Sequence, residues 1–284
     1  MYKVAIQGVE GCFHEAAARE YFKDSPIEVV ACDTFQTMVG SISAHPALLG
    51  IMAIENTIAG SLLQNHELIH KSGLRIIGEH KMRISHSLAA LPGQKLEDIT
   101  EVNSHPMALM QCEEFLLAHP AMKMIEKFDT AGSAREIAEN RLMGHAAICP
   151  EIAAEIYGLE ILRNGIETNK HNFTRFLIIA HPDNPLSGGN NGTDGCEPDK
   201  ASIVFTLPHT QGALSKVLTI LAFYDLNLTK IQSFPIVGRE WEYKFYIDLA
   251  FDDMARYRRG LEAAIPLTSD FKILGEYVSC KNRI

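Results

Sequence analysis

The sequence predicts an α/β protein of two domains, and three observations predict it. Short apolar runs alternate with helix-patterned segments through residues 1–181. The stretch HPDNPLSGGNNGTDGCEPDK, His181 to Lys200, is dense in Gly, Pro, Asn and Asp and has no apolar periodicity, which marks a boundary. Beyond it the pattern changes to strand, helix, two strands, helix, strand. The reading is a first domain over 1–181, a linker over 182–199 and a second domain over 200–284.

Each element follows from local pattern. Lys3–Gln7 is a short apolar strand, and Gly8 and Gly11 bracket a turn. The helix after it sets Phe13, Ala16, Ala17 and Tyr21 on one face. Ile27–Ala31 is a second strand, and Asp33 or Thr34 caps the following helix. Gly50–Ile54 is a third strand, running into Glu55-Asn56-Thr57, and Leu74–Ile84 and His86–Leu91 read as strands. Thr100–Asn103 leads to Ser104-His105-Pro106, where Ser104 suits a cap and Pro106 a first helical turn. Met122–Phe128 and His145–Cys149 are strands, each followed by a helix start, at Asp129-Thr130 and at Pro150. Phe173–Ala180 is the last strand before the linker. Such alternation predicts two lobes with a ligand cleft between them.

After the linker, Ala201–Leu207 is a strand and Gln211–Tyr224 a helix. Asn227–Val237 and Trp241–Ala250 pair as a hairpin around Gly238, then Asp253–Ala264 is a helix and Phe271–Ser279 a strand. This βαββαβ order is ferredoxin-like. One face of such a sheet lacks helices, so a second copy of the chain is expected to cover it.

The 284 residues are 46% hydrophobic and 21% charged, enough for two cores. A formal charge of −9 repels phosphate backbones and anionic lipid, so neither nucleic acid nor membrane is an expected partner. The opening MYKVAIQG reads as strand and turn rather than as a targeting segment, and a cytoplasmic location is expected. The six cysteines are scattered without a Cys-x-x-Cys pair, which fits reduced thiols rather than zinc or a disulfide framework.

Polar residues gather at strand ends. Glu55-Asn56-Thr57 follows one apolar strand, Ser104-His105 with Gln111 follows another, and Asn172, Thr174 and Arg175 open a third. Each has a plain alternative: Glu55 as a solvated turn carboxylate, His105 and His86 as helix-start or packed residues, Arg175 as a surface charge. Gly8-x-x-Gly11 is half of a phosphate loop, and the full dinucleotide fingerprint is absent. With no nucleotide loop, hydrolase elbow or metal spacing, the expected chemistry uses no cofactor and no metal.

Taken together, QGVEGCFHEAAA at 7–18, AIENTIAGSL at 53–62, SHPMALMQC at 104–112, AAICPEIAAEIYGL at 146–159 and NKHNFTRF at 169–176 resemble the prephenate dehydratase family. GALSKVL at 212–218, DLNLTKIQSFP at 225–235 and WEYKFYIDL at 241–249 resemble its C-terminal ACT domain. The resemblance implies a two-lobed first domain like that of periplasmic binding proteins, a regulatory ACT domain, and the monofunctional form without a chorismate mutase domain. It implies conversion of prephenate to phenylpyruvate in phenylalanine synthesis. Arogenate dehydratase and a non-catalytic solute-binding module are the alternatives.

The resemblance also implies roles. Thr174 would meet the leaving hydroxyl, Arg175 would grip the pyruvyl carboxylate, and Glu55 would be the acid if burial raised its pKa. Asn56, Thr57, Ser104, His105, Gln111, Asn172 and Phe176 would line the substrate. L-Phenylalanine would bind between two ACT copies, at Gly212, Ala213 and Leu214 on one side and Asn227, Leu228 and Ser233 on the other, in a homodimer or homotetramer. Gln232-Ser233-Phe234-Pro235 stands where the family often has Glu-Ser-Arg-Pro.

Overall fold

The computed structural model describes residues 1–188, 197–236, 238 and 242–280. The middle of the linker, Cys196, Val237 and Trp241 lie outside these residues. The chain begins β1 (Tyr2–Gln7), α1 (Phe13–Tyr21), β2 (Ile27–Cys32), α2 (Phe35–Ala44), β3 (Leu49–Asn56), β4 (Gly60–Ser61), α3 (Leu63–Ser72) and β5 (Arg75–Arg83). It continues β6 (Ser87–Ala90), β7 (Glu101–Ser104), α4 (Pro106–Gln111), α5 (Glu113–Leu117), β8 (Lys123–Glu126), α6 (Thr130–Asn140), β9 (His145–Cys149), α7 (Glu151–Ile156), β10 (Glu160–Arg163) and β11 (Phe173–Ala180). The remainder is β12 (Lys200–Thr206), α8 (Ala213–Phe223), β13 (Asn227–Pro235), β14 (Tyr243–Ala250), α9 (Met254–Ala264) and β15 (Ser269–Tyr277).

These strands form three sheets, ordered β2-β1-β3-β11-β5 with β4 on β3, then β10-β6-β9-β7-β8, then β13-β14-β12-β15. The first two are the sheets of the expected two lobes. Val4, Ala5 and Ile6 of β1 are all fully buried, as a strand covered on both faces must be. Thr34, not Asp33, caps α2, its hydroxyl accepting from the Thr37 amide at 3.0 Å. Likewise His105 rather than Ser104 caps α4, its Nδ1 accepting from the Met107 amide at 3.1 Å. Of the expected face of α1 only Ala17 is fully buried; Glu15 and Ala18 are buried with it, while Phe13, Ala16 and Tyr21 are half-buried. Glu15 tolerates burial because the Gly11 amide donates to it at 2.7 Å and Arg19 pairs with it at 2.6 Å.

By packing, the chain divides into two compact units: residues 1–38, 51–60 and 81–176, and residues 39–50, 61–80 and 177–284. In the first, the two segments that connect the sheets, residues 84–86 and 164–172, run side by side. The Ile84 amide donates to the Asn172 carbonyl at 2.8 Å, and the Ile166 amide to the His86 carbonyl at 2.9 Å.

In the second unit the βαββαβ order is present. Ile203, Phe205, Ile247 and Leu249 of its sheet pack with Val217, Leu221, Tyr257 and Leu261 of α8 and α9. Alternation along each strand sends the intervening residues to the other face. That face is not bare, and the expectation of a sheet face without helices is corrected. It meets residues 61–80 of its own chain: Lys244 and Tyr246 bond Glu67, Lys230 bonds Ser61, and Lys200 pairs with Glu79 at 2.8 Å. A Cβ on Gly275 would collide with the backbone of Ile76, which is how closely β15 approaches β5.

Candidate active site

β3 ends where β11 begins, and the polar residues of both strand ends meet there. The Thr57 amide donates to the Phe173 carbonyl at 2.9 Å. The Asn56 side-chain oxygen accepts from the amides of Ile58 at 2.9 Å and Ala59 at 2.8 Å. This turn fixes the orientation of its amide group, so Nδ2 faces the other way and donates. It gives hydrogen bonds to Thr174 Oγ1 at 2.9 Å and Asn172 Oδ1 at 2.7 Å. Asn172, fully buried, then donates through Nδ2 to Gln111 Oε1 at 3.0 Å, and His86 Nε2 lies 2.9 Å from the same oxygen. The run His86–Gln111–Asn172–Asn56–Thr174 thus links α4, on the second sheet, to the strand ends of the first.

Two donors emerge from this run. Thr174 Oγ1 receives a hydrogen bond, so its own proton is available to a ligand. Gln111 has its oxygen held twice, and its Nε2 has no protein partner among the described residues. Thr174 and Arg175 are 8% and 6% exposed, so neither lies on the outer surface.

Other expected site residues have different work. The Thr57 hydroxyl donates to the His171 carbonyl at 3.0 Å and accepts from the Phe173 amide at 2.9 Å, joining the two strand ends. Ser104 is fully buried and donates to the Ile148 carbonyl at 2.6 Å, tying β7 to β9. Phe176, 1% exposed, packs against the edge of His14, whose Nε2 accepts from the Ala53 amide at 3.3 Å. These three support the site rather than offer groups to a ligand. His105 is exposed at its cap, and Glu55 is half-buried on β3.

Three residues of this region, His14, His86 and Glu167, were not expected in the site. Burial lowers the His14 pKa to about 4. Burial also lowers that of His86, against the opposing pull of Gln111. Glu167 accepts from the His86 amide at 3.0 Å and from Arg83 at 3.1 Å. Burial pushes its carboxyl up, but the amide bonds and Lys170 hold it below the ordinary range. Only the pairing of the two connecting segments brings Glu167 to His86.

In the C-terminal sheet, Gly212 opens α8 with φ +76°, the left-handed conformation that favours glycine. It follows the Thr206 end of β12, and register places Thr206 beside Lys244 and Lys244 beside Phe234, near Ser233. Asn227 lies beside Ala250, which lies beside Lys200 at the other end of β12. Asn227 and Leu228 are therefore about 20 Å from the Gly212 end of the same chain, at the usual rise per residue.

A family model described as prephenate dehydratase matches residues 4–184. The "Arogenate dehydratase/prephenate dehydratase 6, chloroplastic" of Arabidopsis thaliana is 37% identical over 293 residues, covering 97% of this chain and 68% of that protein. The bifunctional chorismate mutase/prephenate dehydratase of Buchnera aphidicola is 32% identical over 277 residues, covering 96% and 70%. Among solved structures, the Arthrobacter aurescens prephenate dehydratase in complex with L-Phe aligns with a TM-score of 0.84 at 28% identity, over 97% of this chain and 89% of that one. A structure described as GqqA, a quorum-quenching acylase, aligns at 0.87 and 28% identity, over 99% and 100%. Sequence relatives, family model and fold agree, and the chain belongs to the prephenate dehydratase family.

Proposed function

We propose that this chain is a carbon–oxygen lyase that converts prephenate to phenylpyruvate, CO2 and water. The observation that carries this reading is the direction of the hydrogen bond between Asn56 and Thr174. The Asn56 amide occupies one lone pair of the Thr174 oxygen, and among the described residues no group accepts the hydroxyl proton, which is therefore left for a ligand. A serine-type nucleophile would instead give its proton to a base. This favours protonation of a leaving group over acyl transfer, the chemistry of the GqqA neighbour.

Prephenate carries two carboxylates and a ring hydroxyl. As the ring carboxylate leaves as CO2, its bonding electron pair enters the ring, the C–O bond breaks and the departing oxygen takes a proton to become water. Thr174 stabilises that oxygen, a contribution of about 3 kcal/mol for an aligned donor in a water-poor site. Arg175 supplies a planar fork for the pyruvyl carboxylate. Gln111 offers a neutral donor, which orients the ring carboxylate without the ground-state stabilisation that a cation would add. Glu55 is the candidate source of the proton. A spectrophotometric assay for phenylpyruvate tests the reading: turnover of prephenate is expected, and none by pure, folded protein would sink it. Near-wild-type turnover of Glu55→Gln would remove that residue from the chemistry. The Arabidopsis relative's name includes both substrates, so prephenate and arogenate are compared at equal enzyme, with prephenate expected to have the larger kcat/KM.

Residues 1–181 form the catalytic domain and 200–284 an ACT domain that binds L-phenylalanine. The Arthrobacter relative's complex with L-Phe supports this. The Gly212-Ala213-Leu214 turn offers amides at a helix start to the ligand carboxylate. Because Asn227 and Leu228 lie about 20 Å away in the same chain, one ligand touches both sets only across two copies, so a homodimer is the minimum and a homotetramer its doubling. Sedimentation with and without L-phenylalanine tests this, with a monomer under both conditions as the failing result. Among the described residues no helix is long and apolar enough to cross a membrane, and the five described cysteines form no disulfide. A reducing, cytoplasmic setting agrees with those thiols.

A further inference from the structure

We infer that His86 is a positioning residue for the reaction: its Nε2–H holds the Gln111 side-chain oxygen, and so turns the Gln111 amide hydrogens toward the substrate. This rests on the reading of Gln111 as a substrate-binding donor.

The polarity of the whole run follows from one turn. Two backbone amides donate to Asn56 Oδ1, which makes Asn56 Nδ2 the donor to Asn172 Oδ1. Asn172 therefore turns its Nδ2 to Gln111, and the atom it meets there must be the oxygen. His86 Nε2, 2.9 Å from that oxygen, must then carry a proton. No other arrangement of amide flips satisfies all four side chains.

The imidazole is itself held firmly. His86 is 2% exposed. Its amide donates to Glu167 Oε2 at 3.0 Å, its carbonyl accepts from the Ile166 amide at 2.9 Å, and the Phe13 ring meets it edge-on at 5.3 Å. Its Nδ1 is buried with no hydrogen-bond partner among the described residues. A neutral ring with the proton on Nε2 suits this setting, and burial favours that neutral form. Without the histidine, Asn172 alone holds the Gln111 oxygen. The amide is then free to rotate, and the orientation of Gln111 Nε2–H is lost.

Two substitutions separate this role from plain packing. In His86→Gln an amide N–H takes the place of Nε2–H. In His86→Met the length is kept and the donor is lost. KM for prephenate is expected to rise about tenfold in His86→Met, the worth of one lost hydrogen bond. It should stay within about threefold in His86→Gln, and kcat should change little in either. Adding Gln111→Ala to His86→Met should raise KM no further than Gln111→Ala alone. Equal KM values for His86→Met and wild type, equal damage from both His86 substitutions, or additive effects with Gln111→Ala would overturn the inference. A readout independent of activity is 15N NMR of histidine-labelled protein, with the His86 signal assigned by its loss in His86→Gln. The expected form is neutral with the proton on Nε2 at pH 7. A proton on Nδ1 alone defeats the inference even if prephenate is turned over. The expected tautomer in an enzyme inactive on prephenate would instead count against the functional reading.

Discussion

The Asn56 side-chain amide donates to the Thr174 hydroxyl oxygen at 2.9 Å, while its own oxygen is held by two backbone amides of the following turn. A residue at the end of one strand thereby decides which way a hydroxyl on the next strand points.

This relationship predicts equivalence between two different lesions. Thr174→Ala removes the donor and should lower kcat by about two orders of magnitude with little change in KM. Asn56→Asp leaves Thr174 in place but substitutes an acceptor for the amide, so the hydroxyl turns back toward the new carboxylate. Its kcat should fall to a similar level, and the double variant should be no worse than either single one. Steady-state kinetics at saturating prephenate checks this, and multiplied losses in the double variant would count against a shared mechanism.

Lys200 and Glu79 form a pair in which the side chains are 7% and 1% exposed, 2.8 Å apart, with the Cys280 amide also donating to the carboxylate at 3.2 Å. Removing one partner strands a buried charge. Lys200→Met or Glu79→Gln should each cost about 3–5 kcal/mol, whereas the combination Lys200→Met with Glu79→Leu should recover most of that loss. Urea unfolding of the three variants measures it.

Glu67 is desolvated, which pushes its pKa up. The Tyr246 hydroxyl, Lys244 and Lys71 outweigh this and bring it down to about 2 from an ordinary 4.5. A carboxylate whose folded pKa is depressed stabilises the fold fully above its unfolded value and loses that contribution as pH falls through the folded one. The wild type should therefore lose stability relative to Glu67→Gln as pH drops from about 4.5 to about 2. Thermal unfolding of both proteins across that range checks the difference, and parallel curves would contradict it.

Lys230, 8% exposed on β13, bonds the Ser61 hydroxyl at 2.7 Å. Ser61 lies five residues beyond Asn56, at the far end of the turn that orients it. Five residues of chain and one hydrogen bond thus separate Ser61 from the donor at Thr174. Ser61→Ala should leave the fold intact and weaken the proposed inhibition by L-phenylalanine about three- to tenfold, within the usual range of coupling energies. Calorimetric titration of L-phenylalanine, with and without substrate, separates lost coupling from lost effector binding.

The sequence was informative where a residue's own neighbours decide its state. His145–Cys149 and Phe173–Ala180 form strands with the bounds expected of them, because their apolar runs, Ala146–Cys149 and Phe176–Ala180, suit a sheet covered on both sides. The βαββαβ order was legible for the same reason, as was the clustering of Asn56, Asn172 and Thr174 at strand ends.

What the tertiary structure alone decided is partnership. The helix α3 had no signal, since its buried residues are Asn65, His66 and Ile69 and the surface it meets is a polar sheet face, so the usual apolar stripe is missing. Thr57, Ser104 and Phe176 matched a family pattern, yet their atoms are engaged by backbone and by the core, which no local pattern records. The role of His86 depends on Gln111, 25 positions away, and on a hydrogen-bond direction set at Asn56. Residue type and local periodicity fix which elements form and which groups can donate. Only the folded chain fixes which acceptor each donor finds, because that choice is made by distances between segments remote in sequence.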